Sequence, residues 1–152
     1  MFAAAYLHDM GGFPEFATDG VDNAMRSAEL VEGILVPAGF PKEKLDAVRG
    51  TIRAPTCYNP TLPVTQEETA FRNADLLDVM GAIGIVRIGS LTERESLAPD
   101  LLGAFRMLEK FPERMFSALV GDSAKKMGRQ RASEMSATLE QLRQQSFGTG
   151  AL

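Results

Sequence analysis

The chain has 152 residues, is 45% hydrophobic and carries a net charge of -4. That size and apolar content suit one domain, 1–152, with a proper core, and the acidic balance excludes broad binding to nucleic acid, which needs a basic surface. No apolar run is long enough to span a bilayer, one cysteine (Cys57) excludes an internal disulfide framework, and no basic stretch precedes the apolar start, so a cytoplasmic protein without a signal peptide is expected.

The predicted elements are helices joined by short loops. A short apolar run, Phe2-Ala3-Ala4-Ala5-Tyr6-Leu7, opens the chain and ends at His8-Asp9-Met10-Gly11. Residues 21–36 place Ala24, Met25, Ala28, Val31, Ile34 and Leu35 at helical spacing, with Asp19 or Asp22 as cap and Pro37 and Gly39 as the stop. Pro41 suits the first turn of a second helix with Leu45, Val48 and Ile52 on one side. Pro55, Pro60 and Pro63 predict a loop. Thr65-Gln66-Glu67-Glu68 is a capping box, and the helix it opens carries Ala70, Phe71, Ala74, Leu77 and Asp78 and frays at Gly81 or Gly84. Ser90-Leu91-Thr92-Glu93 is a further cap. A helix around 100–110 uses Leu101, Leu102, Phe105 and Leu108, and Phe111-Pro112 interrupts it. Asp122 or Ser123 caps the last helix, with a stripe of Met127, Ala132, Met135, Leu139 and Leu142. The tail from Phe147, 147–152, is expected to fray. No strand alternation, repeat or low-complexity linker is evident, so the fold class is all-α.

His8 is the only histidine, and Asp9 follows it. Imidazole and carboxylate together are ordinary ligands for a hydrolytic metal ion. Successive side chains diverge by one helical step, but near a helix end both can reach one ion. Asp75 sits in a second apolar stretch, Asn73-Ala74-Asp75-Leu76-Leu77, where a carboxylate is costly unless paired or holding a metal. The bland alternatives are a histidine bonded to a carbonyl and an aspartate paired with Arg72, three residues earlier. Asp78, on the same face, reads as an acid that supports a ligand or the structure rather than as a ligand itself. Cys57 has no imidazole partner but His8 and lies in a Pro-rich loop, and no Gly-x-Ser-x-Gly elbow is present. Met10-Gly11-Gly12 and Gly81-Ala82-Ile83-Gly84 follow no strand, so they read as turn and close-packing glycines. The Lys125-Lys126 to Arg131 cluster reads as a solvated face.

Tyr6-Leu7-His8-Asp9-Met10-Gly11 resembles the central motif of HD-domain metal-dependent phosphohydrolases. Further stretches resemble the same family in the same order. They are Arg26-Ser27-Ala28-Glu29, then Gly39-Phe40-Pro41-Lys42-Glu43-Lys44-Leu45 with Ala47-Val48, then Asn73-Ala74-Asp75-Leu76-Leu77-Asp78 with Gly81-Ala82-Ile83-Gly84-Ile85. The Ala132 to Leu142 helix completes the set. The resemblance implies a compact HD-domain-like helical bundle. It implies one divalent metal ion (Mn, Fe, Ni, Co or Mg) on His8, Asp9 and Asp75, with Asp9 catalytic, Arg53 or Arg72 facing a phosphate, and a small phosphorylated substrate, phosphate ester or nucleotide.

The chain also departs from the family. The family's first ligand histidine stands on a helix preceding the motif, and here the chain begins inside the motif's own helix. Positions where the family often carries further histidines read Asp22-Asn23-Ala24 and Arg53-Ala54-Pro55-Thr56. A second metal is therefore not expected, and a single one would have three of its usual four protein ligands, a weak or incomplete site. The alternative is a non-catalytic HD-like module for a ligand or a protein partner. Apolar surface from Phe2 to Leu7 makes a homodimer plausible on either account.

Overall fold

The structure, a computed structural model, describes residues 1–54, 62–95, 98 and 100–145, and the side chains of all of these except 91–95 and 101. Pro55, Cys57, Pro60 and the tail from Phe147 lie outside the described residues. The fold is all-α. Among the described residues are eight α-helices and no strand: α1 (Phe2–Leu7), α2 (Asn23–Leu35), α3 (Leu45–Ile52), α4 (Gln66–Asp78), α5 (Gly81–Glu95), α6 (Leu101–Leu108), α7 (Phe111–Ala118) and α8 (Asp122–Gln145). None of these helices is long and apolar enough to cross a membrane.

The described residues fall into two compact units. The first comprises 1–54 and 62–72, the second the residues from 73 onward, so the chain passes from one to the other within α4.

In the first unit α1 and α2 both pack on α3, around Ala4, Leu7, Ala28, Val31, Leu45, Val48 and Ile52. Helix α1 is amphipathic, because Ala4 and Leu7 are three residues apart and share a face. They are buried, while Phe2 and Tyr6, one turn apart on the other side, are 85% and 82% exposed. The apolar surface expected across Phe2–Leu7 is thus reduced to its outer face. Asp22 caps α2, its carboxylate accepting from the Met25 N–H at 3.1 Å. The helix closes on a glycine stop. Phe40 N–H donates to Leu35 C=O and Gly39 N–H to Val36 C=O, both at 3.0 Å, with Gly39 at φ +80°. Pro41 precedes a 3₁₀ turn, Lys42–Lys44, and α3 proper starts at Leu45. Arg49 on α3 bonds Glu32 on α2 at 2.7 Å and Asp46 at 3.0 Å, and the Glu32 carboxylate, helped by Asp46, holds its guanidinium above the ordinary value. The Thr65 box forms as expected. Glu68 N–H donates to Thr65 Oγ1 at 3.1 Å, and the Glu68 carboxylate accepts from the Thr65 N–H at 3.3 Å.

In the second unit Leu76, Leu77, Met80, Ile85, Ile88, Leu108, Phe111, Met115, Leu119, Met135 and Leu139 form the core. Sequence and structure differ most at α5. The sequence there reads as the fraying end of the preceding helix, at Gly81 or Gly84. The chain instead turns at Gly81, φ +76°, and starts a helix of 15 residues. Gly84 is where the chain crosses itself: a Cβ there would lie 2.2 Å from the Val79 carbonyl oxygen. The cap expected at Ser90 falls inside this helix, where the Ser90 hydroxyl donates to the Arg87 carbonyl at 2.8 Å. Asp100 caps α6 through the Gly103 N–H at 2.7 Å. Phe111-Pro112 does interrupt α6, but as the start of α7, since proline is suited to a first turn.

On α8 the expected stripe is one residue out of phase at its start. Met127 is 48% exposed, and Gly128, Met135 and Leu139 are buried, with Ala132 and Leu142 half-buried. A Cβ on Gly128 would lie 2.3 Å from a Leu119 methyl, so a side chain here would force the buried Leu119 to shift.

The Asn73 side chain acts as a peptide group. Its Nδ2 donates to Val120 C=O at 2.8 Å and its Oδ1 accepts from Val120 N–H at 2.9 Å, joining segments 47 residues apart. Asn73→Ala should cost about 1–3 kcal/mol, because both backbone groups of Val120 lose a half-buried partner. Chemical denaturation of the two proteins checks it.

Candidate functional site

Helix α1 ends at Leu7. His8 still has helical torsions and donates its backbone N–H to Ala4 at 2.9 Å. Asp9 leaves the helix, φ -101° and ψ 3°, into a 3₁₀ turn over Met10–Gly12. That change of path removes the one-step divergence of consecutive helical side chains. His8 Nε2 and Asp9 Oδ2 come to 3.2 Å.

The proton arrangement follows from the partners. His8 Nδ1 lies 3.0 Å from the Ala5 carbonyl oxygen. A carbonyl only accepts, so Nδ1 carries a hydrogen. In a neutral ring Nε2 is then a bare lone pair. A bare lone pair facing a carboxylate oxygen at 3.2 Å is unfavourable on its own, and a cation held by both atoms would relieve it. Two ligand atoms about 2.1 Å from one ion, at tetrahedral to octahedral angles, stand about 3.0–3.4 Å apart. The donor types and their separation therefore fit a divalent metal. The histidine ring also meets the edge of Phe71 on α4, with centroids 5.2 Å apart and planes at 79°. His8 is about a third exposed and Asp9 about two thirds, so the pair is open to solvent on one side.

Behind Asp9 stands a support that the sequence alone did not single out. The 3₁₀ turn lies on the start of α2. Gly11 N–H donates to the buried Ser27 hydroxyl at 2.8 Å, Ser27 Oγ–H donates to Asn23 Oδ1 at 3.2 Å, and Asn23 Nδ2 donates to Asp9 Oδ1 at 3.3 Å. A Cβ on Gly11 would lie 2.5 Å from the Asn23 carbonyl oxygen and 2.8 Å from Ser27 N. The available signal was Ser27, a polar residue in phase with the apolar Ala24, Ala28 and Val31 and one turn after Asn23.

The other expected site residues fare differently. Asp75 is half-buried on α4, one helical turn after Phe71 and within the second unit, with Leu76 and Leu77 buried beside it and Ala74 exposed. Arg72 is buried. Arg53 is exposed at the end of α3. Asp78 pairs with Arg87 and so ties the end of α4 to α5, the structural one of the two roles expected of it. Among the described residues there is no group of three or more His, Cys, Asp and Glu gathered to hold a metal ion.

No protein-family model matches this chain, and no curated protein does. Among solved structures it is similar to YpgQ of Bacillus subtilis, determined in complex with ADP. The TM-score is 0.62 and the identity 24%, over 93% of this chain and 73% of that one. The likeness is one of fold.

Proposed function

We propose that this chain is an HD-type helical domain acting as a metal-dependent phosphohydrolase on a small phosphate ester or nucleotide. The observation that carries the reading is the His8–Asp9 pair, held at 3.2 Å with Nδ1 committed to a carbonyl and Nε2 turned to the carboxylate. His8 and Asp9 would be ligands, and the resemblance implies Asp75 as the third. A divalent ion bound there supplies the Lewis acid that polarises a phosphoryl oxygen and lowers the pKa of water. Asp9 contributes the negative charge that draws the cation, and the Ala5 carbonyl sets which imidazole nitrogen faces it. Arg53, exposed at the end of α3, or Arg72 on α4 would face the phosphate. The ADP bound by the similar YpgQ structure supports a ligand of nucleotide size. A second reading, a ligand-binding HD-like module without catalysis, is favoured by one observation: His8 is the only imidazole in the chain.

Calorimetric titration with manganese and nickel, run beside a phosphatase panel, tests the proposal. Wild type is expected to bind one ion weakly and to hydrolyse at least one phosphoester, and His8→Ala to do neither. Equal binding by wild type and His8→Ala would remove the metal. Metal binding without turnover of any substrate would favour the module.

A further inference from the structure

We infer that Asn23 is a positioning residue that turns Asp9 toward His8, so that one carboxylate oxygen, Oδ2, is presented to a cation. The inference rests on the metal reading above.

The order of the hydrogen bonds carries it. Gly11 N–H can only donate, so it occupies an acceptor site of the Ser27 hydroxyl at 2.8 Å. Ser27 is fully buried, so its own hydrogen has to be placed within the protein, and it goes to Asn23 Oδ1 at 3.2 Å. That fixes which end of the Asn23 amide faces which way. Nδ2, which only donates, is left to point at Asp9 Oδ1, 3.3 Å away. With Oδ1 engaged by the amide, Oδ2 is the oxygen beside His8 Nε2. The backbone makes the same relation rigid, since Gly11 sits against Asn23 and Ser27 too closely to admit a side chain. Asn23 is the first residue of α2, and the cap of that helix is supplied by Asp22. Its side chain is therefore not needed to cap the helix. An oriented carboxylate loses less freedom on gaining a cation, and outer partners of this kind typically govern affinity by about 10–100-fold.

The test is manganese titration of the full chain by calorimetry, with the 15N resonances of its one imidazole followed in parallel against diamagnetic zinc. In wild type, zinc is expected to move Nε2 rather than Nδ1. Asn23→Ala should bind manganese about 10–100-fold more weakly, melt lower without metal because the buried Ser27 hydroxyl loses its acceptor, and still show the Nε2 response at saturating zinc. If Asn23→Ala does not fold, Asn23→Ser replaces it: a hydroxyl there is too short to reach Asp9. Affinity equal to wild type in the folded variant overturns the role of Asn23 and leaves the metal reading in place. No binding by wild type removes the metal reading and this inference together.

Discussion

Gly11→Ala is expected to be the most damaging single-methyl change in the first unit. The new Cβ would meet the Asn23 carbonyl oxygen at 2.5 Å, Arg26 Cβ at 2.7 Å and Ser27 N at 2.8 Å. Two of these are backbone atoms of α2, and neither can move without shifting the helix. Overpacking of this kind costs about 3 kcal/mol, about 6–12 °C in melting temperature for a chain of this length. The 3₁₀ turn would lift from α2, taking Asp9 away from Asn23, so metal affinity should fall with stability. Gly33→Ala is the control. Gly33 is an exposed residue within α2, and a Cβ there meets nothing within 4 Å. The same chemical change should then stabilise by about 0.5–1 kcal/mol through helix propensity. Differential scanning calorimetry of both variants decides. A Gly11→Ala protein as stable as wild type would mean that the turn does not sit against α2 as described.

Asp75→Asn has the largest expected effect on activity. The substitution is nearly isosteric and removes only the charge. If Asp75 serves the ion, manganese affinity should fall by at least about tenfold, or about 1.4 kcal/mol, and phosphatase activity should disappear. Stability without metal should then change little, because the substitution keeps the size and shape of the side chain. If instead the carboxylate serves the fold, the change should cost about 1–3 kcal/mol irrespective of metal, with manganese binding unaltered. Thermal melts of both proteins, with and without manganese, separate the outcomes. A metal-independent loss of stability, with no activity in either protein, would end the phosphohydrolase mechanism while leaving the helical fold.

Local signals were legible because they depend only on neighbours in the chain. The capping box at Thr65–Glu68, the Asp22 cap and the glycine stop at Gly39 each satisfy backbone groups within a few residues, and all three occur where the sequence places them. The apolar phases of α2 and α3 were legible for the same reason, since periodicity marks a face whatever lies against it; Met25, expected on the α2 face, is the exception and is exposed. The adjacency of His8 and Asp9 named the candidate pair, and a helix end was expected to bring them together.

The tertiary structure decided what depends on a partner far along the chain. Gly81 and Gly84 read as a fraying helix end and as turn and close-packing glycines; Gly84 does pack closely, since the Val79 backbone passes within 2.2 Å of where a Cβ would be, but a helix starts there. Met127 and Gly128 exchange exposed and buried roles because Leu119 occupies the space above position 128. Asn73 carries no local signal, since its partner is Val120, 47 residues away. Residues 8 and 9 sufficed to propose a ligand pair. Their orientation depends on Asn23 and Ser27, 14 and 16 residues from the groups they bond. Charge and donor type belong to a residue and can be read from its letter. The direction a donor points is set by whatever packs against it, and that is settled only once the chain has folded.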